Sequence, residues 1–517
     1  VKPLILIYFF NMKSKKIISI LDLKKKLKIS NKKISLVHGV FDIFHVGHKR
    51  HFEVAKSMSD ILVVSLTTDR FVNKGPSRPV FNQDLRAEMI SFFEAVDYVV
   101  LSNYESAIQV INEIKPDYYV KGQDYKNLKK DITKNIYLEK KAVEKNKGKL
   151  VFTEDIQFSS SSLINNHFKS DLSATEINKY KIKKSEFQLA CLNQLDLISK
   201  LNIAIVGEII FDEYIFSEEM AKPSKENIHA VSYNHKKIYL GGAAAIARNL
   251  SEFCKNIDLY SAGSFDSENT KVLNSLKNNK NIKFNNIDKN FQCIKKTRIL
   301  NKHNKKLFEI YYKNGKEYLK DTEKFFKVIT NKFKKYDAVI IADFGHGLLN
   351  EKIYQKINKH SKFLSINTQT NSDNRGFNLI TKYNKANLVC LDEPELRLAL
   401  SDKNSSIDSL VNKLEKKINY KSIVITLGQE GILVKNKRLN TLFKDVKLNA
   451  FELNPIDTIG AGDAVFGIAS VLCSINTDSR VVAFLGNIFG ALATKILGHS
   501  DYIKKNQVAK TIQYSLK

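Results

Sequence analysis

His45 and His48 stand three residues apart in the stretch Gly39-Val40-Phe41-Asp42-Ile43-Phe44-His45-Val46-Gly47-His48. On a helix that spacing puts both rings on one face. Gly47 between them lets an anion approach the backbone. The start of a helix adds N–H donors and a partial positive charge. Imidazoles and N–H groups so placed stabilise charge developing on an α-phosphate, the requirement of nucleotidyl transfer. Two surface histidines, or a two-histidine metal site, would show the same spacing. The Gly-x-Phe-Asp run at the end of an apolar strand favours the phosphate chemistry.

A second constellation is Asp457-Thr458-Ile459-Gly460-Ala461-Gly462-Asp463. Glycines at a loop-to-helix junction turn backbone N–H groups toward anionic oxygen. Asp463 follows at once and can take the proton of a hydroxyl attacking a γ-phosphate. A glycine-rich turn with a capping Asp would look alike. No Gly-Lys-Ser/Thr follows, so this is not a Walker A loop.

Strands alternating with helical patterns must carry both sets. Apolar runs at 34–40, 61–66, 98–101, 118–120 and 150–152 read as strands, with amphipathic helices at 46–58 and 85–93. That alternation predicts βαβ units and a parallel sheet. A second alternation predicts strands at 202–206, 338–342, 363–366, 388–391 and 422–426. Residues 213–240 read as shorter strands and turns, a lid. The expected organisation is an N-terminal extension (1–29), a first α/β domain (30–168), a helical linker (169–200) and a second α/β domain (201–517). In the linker, Leu189, Leu192, Leu195, Leu197 and Ile198 have helical spacing.

GVFDIFHVGH resembles the GxFDxxHxGH motif of the cytidylyltransferase-like nucleotidyltransferases, which have a Rossmann-like sheet. Lys121-Gly122-Gln123-Asp124-Tyr125 is similar to the Lys-Gly-x-Asp-Tyr segment of their sugar-phosphate branch. The serine-rich turn at 158–164 resembles the one that opens the last helix. The resemblance implies catalytic roles for His45 and His48. It implies nucleotide contacts from Gly39, Phe41, Asp42, Gly47, Lys121, Gly122, Asp124, Ser160 and Ser161, with Lys74, Arg78 and Arg86 as basic phosphate contacts. Asp42 could instead cap a helix. His51 reads as a surface residue.

DTIGAGD resembles the second signature of the ribokinase-like (PfkB) carbohydrate kinases, α/β proteins with a small β lid. Leu240-Gly241-Gly242-Ala243-Ala244 is similar to the first signature. The resemblance implies that Asp463 is the catalytic base and that Asp212, Gly241, Gly242 and Asn249 face the sugar. Thr426, Gly428, Gly460, Ala461, Gly462 and Asn487 would hold ATP, and Asp392 and Glu395 would hold Mg²⁺. Some positions depart from the family pattern. Ala245 replaces the usual Asn, Glu208 the first-strand Asp, and Asn367-Thr368-Gln369 an Asp-Pro-Lys segment. The last change removes a cation from the phosphate side.

Together the halves resemble the bifunctional enzymes of ADP-heptose synthesis, with the order of kinase and adenylyltransferase reversed. That implies ATP- and Mg²⁺-dependent phosphorylation of a sugar phosphate, a heptose 7-phosphate at C1. Nucleotidyl transfer from an NTP would follow, with ATP favoured over CTP by the KGQDY segment, giving an ADP-heptose-like sugar and pyrophosphate for lipopolysaccharide or other surface glycans. The alternative is a working nucleotidyltransferase fused to a weakened kinase-like binding module. Both families imply self-association.

The remaining chain fits such a cytoplasmic enzyme. The formal charge of +29 raises nucleic acid or a membrane surface as partner. The lysines are spread in short clusters along all 517 residues, however, so neither partner is expected. Five widely spaced cysteines, an odd number without a CxxC pair, argue against a disulfide framework. The apolar stretch 1–10 is shorter than the roughly 20 residues of a membrane span, and Met12 is the expected start.

Overall fold

The computed structural model describes residues 14–27, 31–72, 78–122, 135–153, 183–221, 228–312, 319, 322–437, 445–452 and 455–516. The chain divides into two compact units, one of residues 1–171 with 509–517, the other of residues 172–508.

The first unit is built on β1 (Ile34–Gly39), β2 (Ile61–Thr67), β3 (Tyr98–Ser102), β4 (Tyr118–Gly122) and β5 (Lys149–Thr153). They form one sheet in the order β3-β2-β1-β4-β5, parallel throughout. Ile34 to Val37 are buried in succession, as expected of a strand covered on both faces. Leu36, Val63 and Tyr119 pack into one face layer. Val37, Leu62 and Val64 pack into the other with Phe52, from the helix Val46–Ser57. β1 lies between β2 and β4, so the chain order reverses there. A crevice therefore opens at the carboxyl ends of β1 and β4.

The unit begins earlier than the pattern implied. Ile17 bridges to Val99, and the helix Ile20–Leu27 buries Leu23 in the core. Residues 14–27 are thus part of the domain and not an extension.

The second unit has a nine-stranded sheet in the order β10-β9-β6-β13-β14-β15-β16-β17-β18. These are β6 (Asn202–Gly207), β9 (Asn256–Ser261), β10 (Ile282–Asn286), β13 (Ala338–Asp343), β14 (Leu364–Thr368), β15 (Leu388–Asp392), β16 (Ser422–Thr426), β17 (Ile432–Asn436) and β18 (Asp445–Leu448). All pairs are parallel except those made by β17. The helix Ala461–Ser474 is buried along nearly its whole length and packs against β13, β15 and β16.

The lid is a separate four-stranded sheet, β12-β11-β7-β8. Its strands are β7 (Ile209–Glu219), β8 (Val231–Gly242), β11 (Ile294–Leu300) and β12 (Lys306–Tyr312). The short strands expected at 213–240 are instead two long antiparallel ones of 11 and 12 residues, with a bulge at Phe216/Ser217. A bulge bends a long strand without ending it, which breaks the alternation a sequence shows.

Residues 184–198 are not a free linker. The helix Lys184–Ile198 buries Phe187, Cys191, Leu195 and Ile198, while Leu189 and Leu197 are exposed. Phe187 meets Phe484 edge-on at 5.3 Å, and Thr477 donates to Gln194 at 2.9 Å. The sequence pattern placed 509–517 with the second domain, whereas these residues group with the first unit. All five cysteines are free thiols. Among the described residues no helix is long and apolar enough to cross a membrane.

Candidate active sites and the family they indicate

At the carboxyl end of β1 the chain turns through Phe41, whose φ of 48° is left-handed. His45 then caps the helix Val46–Ser57. The rings of His45 and His48 stack, with centroids 3.8 Å apart. The backbone N–H of His45 donates to Nδ1 of His48 at 3.4 Å. With Nδ1 accepting, a neutral His48 carries its proton on Nε2, where it can be offered to an oxyanion. Phe41 and Phe44 flank the His48 ring at 5.3 and 5.1 Å and fix its plane. Gly39 has no side chain because a Cβ there would lie 2.9 Å from the Phe41 ring.

The polar residues around this turn are largely committed to the protein itself. Asp42 does not cap the helix. It is buried, accepting from Arg78 Nη1 at 2.9 Å and from the N–H of Val80 at 2.6 Å. Lys121 pairs with buried Glu139 at 3.4 Å, beside the hydroxyl of Tyr119. Arg86 departs furthest from expectation. Its side chain is 1% exposed and donates to the carbonyls of Phe81, Val40 and Thr67 and to Asp69. A guanidinium with those partners braces the crevice and is not offered to a phosphate. His51 is likewise no mere surface residue, since its Nδ1 lies 2.9 Å from Thr153 Oγ1 at the end of β5. Lys74, Asp124, Ser160 and Ser161 lie outside the described residues.

The bracing role makes a prediction. Arg86→Ala strips buried carbonyls of their donor, at about 1–3 kcal/mol for each group left unsatisfied. A loss of about 3 kcal/mol is expected as a lower urea midpoint at unchanged slope. A wild-type midpoint with weakened nucleotide binding would instead make Arg86 a ligand.

In the second unit, one cleft of about 1270 Å³ gathers residues that the sequence scatters from 210 to 499. One side is the lid, with Asp212, Lys296, Arg298 and Tyr311. The other runs along the sheet edge, with Thr426, Gly428, Ala450 and Asn487. Between them lies the turn Gly460, Ala461, Gly462, and then Asp463. Gly460 has φ 79°, and a Cβ on it would lie 2.4 Å from the His499 ring. Glycine is required there on both counts.

Asp463 is buried in the first turn of the helix Ala461–Ser474. Burial, then the nearby Asp212 carboxylate, push its pKa up to about 7, and Lys296 opposes them. Lys296 is buried in turn, with its ammonium 4.9 Å over the Tyr311 ring, and burial lowers its pKa. A carboxyl poised near neutrality beside an ammonium suits proton abstraction next to an anionic substrate.

Asp392 and Glu395 also line the cleft. They form a capping box: the N–H of Glu395 donates to Asp392 at 2.6 Å, and that of Asp392 to Glu395 at 3.0 Å. Burial first, then each carboxylate's acidic neighbours, raise both pKa values. Such an under-neutralised pair fits a divalent cation shared with substrate phosphates.

Other expected residues serve the framework. Asp212 lines the cleft but is ion-paired with Arg298. Gly241 makes room for it, since a Cβ there would stand 2.1 Å from Asp212 Oδ2. Gly242 lines the cleft at φ 60° and caps the helix Ala243–Leu250. Asn249 does not reach the cleft. It is buried and accepts from the N–H of Ile503 at 3.1 Å. Asn487 donates to the carbonyl of Asn449 at 3.1 Å, holding the end of β18 at the cleft wall. Glu208 is buried and receives the N–H groups of Phe344 and His346, each at 3.1 Å. Asn367 bridges to the carbonyl of Cys390 at 2.9 Å.

Sequence reasoning missed Lys296, Arg298, Tyr311, Arg375, Arg397 and His499, all on the cleft wall. Lys296 and Arg298 gave little local signal, because β11 reads Ile-Lys-Lys-Thr-Arg-Ile-Leu, with polar residues on both faces. Lys296 and Arg298, two residues apart, share one face of β11. In register, Lys296 sits beside Asp212 of β7 and Tyr311 of β12.

Comparison with known proteins agrees with both folds. Residues 200–503, more than half of the chain, match the pfkB family carbohydrate kinases. The chain belongs to that family. Residues 36–179 match the Cytidylyltransferase-like family. This pfkB-family chain is 46% identical over 103 residues to the Bifunctional protein HldE of Sulfurimonas denitrificans, which is 20% of this chain and 22% of that protein. It is 44% identical over 115 residues to the Bifunctional protein HldE of Campylobacter jejuni, 22% of this chain and 25% of that protein. The chain thus spans about a quarter of the length of these curated relatives. Among solved structures, phosphofructokinase-2 from Escherichia coli matches with 13% identity and a TM-score of 0.49, over 61% of this chain and all of that one.

Proposed function

We propose that the chain activates a sugar in two steps, phosphorylation in the second unit and nucleotidyl transfer in the first. The observation carrying the kinase step is Asp463, buried behind the 460–462 turn in the same cleft as Lys296. The sugar hydroxyl gives its proton to Asp463 as its oxygen attacks the γ-phosphorus of ATP, and ADP leaves. The N–H groups of the turn and the cleft cations hold the transferring phosphoryl oxygens. Asp392 and Glu395 would hold Mg²⁺, which neutralises phosphate charge when bound.

In the first unit the sugar 1-phosphate oxygen attacks the α-phosphorus of an NTP, and pyrophosphate leaves. His45, His48 and the N–H groups that begin the helix Val46–Ser57 stabilise the charge on the α-phosphate. The resemblance of both halves' motifs to the enzymes of ADP-heptose synthesis supports a heptose phosphate as the sugar, ATP as the nucleotide and an ADP-heptose-like product. The expected setting is the cytoplasm, with a self-associating enzyme. Incubating the full chain with each NTP, Mg²⁺ and a panel of sugar phosphates, with products identified by mass spectrometry, tests the proposal. No sugar nucleotide from any pair would sink it. Sugar nucleotide formed only from a supplied sugar 1-phosphate would leave the second unit a binding module.

The raised Asp463 also sets a pH dependence. It is a base only when ionised, so kcat/KM for phosphorylation is expected to fall about tenfold per pH unit below about 7. Lys296 lowers the Asp463 pKa, so Lys296→Met should move that limb to higher pH. A pH–rate profile checks both, and a limb unmoved by the substitution would separate Lys296 from the base.

A further inference from the structure

Lys306 opens lid strand β12, and its Nζ lies 2.5 Å from Oδ1 of Asp457, the residue that begins the anion-binding segment. The Asp457 side chain is 1% exposed and that of Lys306 34%. Oδ1 also accepts the N–H of Ile459 at 3.1 Å. Oδ2 accepts the N–H of Gly498 at 2.9 Å and the hydroxyl of Tyr214, on lid strand β7, at 3.2 Å. One carboxylate therefore joins two lid strands, the start of the 460–462 turn and the backbone beside His499. Its other donors are all neutral. A buried carboxylate stays ionised when a full positive charge accompanies it. Among the described residues, Lys306 is the cation in ion-pair contact with Asp457. Burial pushes Asp457 up, but the Lys306 ammonium and the two N–H groups hold it below the usual carboxylate range.

We infer that Lys306 is a positioning residue for phosphoryl transfer. From the lid it supplies the charge that keeps Asp457 bound to Ile459 and Gly498, so the lid and the anion-binding turn order together. The inference rests on the kinase reading of the second unit. It follows that the cation is replaceable: an ammonium that fits where the lysine head sat should restore the turn.

The test uses the full chain carrying Lys306→Ala, with Lys306→Arg as the conservative variant. Phosphorylation by Lys306→Ala is expected to show kcat lowered about 100-fold, the scale of an ångström-sized misplacement, with KM for the sugar phosphate within a few-fold of wild type. Methylammonium should recover part of the loss, tetramethylammonium none, and Lys306→Arg should retain most activity. Hydrogen exchange on the same proteins gives a readout that needs no turnover. Lys306→Ala should speed exchange both in 457–463 and in the lid strands, and methylammonium should slow it again. If wild type phosphorylates no sugar, the kinase reading fails and exchange alone decides the positioning role. Exchange in 457–463 equal to wild type in Lys306→Ala, or a loss of kcat that no amine relieves, would overturn the inference.

Discussion

Asp463→Asn is expected to lower phosphorylation of the sugar by about 10²–10⁴-fold, the range for removing a positioned general base. The substitution keeps the volume and the place in the first turn of the helix Ala461–Ser474, so the fold should survive. Asn cannot accept the hydroxyl proton, and the loss should fall on kcat with little change in the ATP KM. Burial and the Asp212 carboxylate already disfavour the ionised form of Asp463. Removing its charge should therefore stabilise the apo protein or leave its unfolding midpoint unchanged. Nucleotidyl transfer from a supplied sugar 1-phosphate should proceed at the wild-type rate. Parallel assays of the two half-reactions check this, and equal loss in both would contradict two independent sites.

His48→Ala should do the converse. Its ring accepts the His45 N–H at Nδ1, which leaves Nε2–H as the donor toward developing charge. Losing one such donor costs about 10²–10³-fold in kcat. Nucleotidyl transfer should fall by that amount while phosphorylation continues. Because Phe41 and Phe44 pack against this ring, His48→Gln is the better-packed control. It keeps a donor and should recover part of the rate. Sugar 1-phosphate would accumulate in both variants and can be followed by mass spectrometry.

Both candidate sites stand out in the sequence for one reason. Each depends on backbone geometry at a strand-to-helix or loop-to-helix junction, and such geometry demands local residue types. Gly39 ends β1, Gly460 caps a helix, and Gly47 and Gly462 lie in the first turns of theirs, with the histidines and Asp463 within a few positions. The parallel sheets were legible too, because strands covered on both faces read as unbroken apolar runs such as 61–64 and 338–342.

Charge partnerships were not legible. Arg86 and Arg78 look like phosphate ligands in a row of residues, yet one braces three carbonyls and the other neutralises Asp42. Asn249 looked like a sugar contact and instead holds Ile503, 254 positions away. Lys296 and Arg298 gave little sign of the cleft, because the antiparallel and parallel pairing that sets them beside Asp212 joins distant segments. By itself the sequence pointed to the two proposed chemistries and to the junctions that would host them, since these are short-range consequences of glycine, helix N-termini and apolar periodicity. Only the tertiary structure decided which charged side chains face a ligand and which are consumed inside the protein. A buried charge must find its partner, and that partner is chosen by packing across the chain.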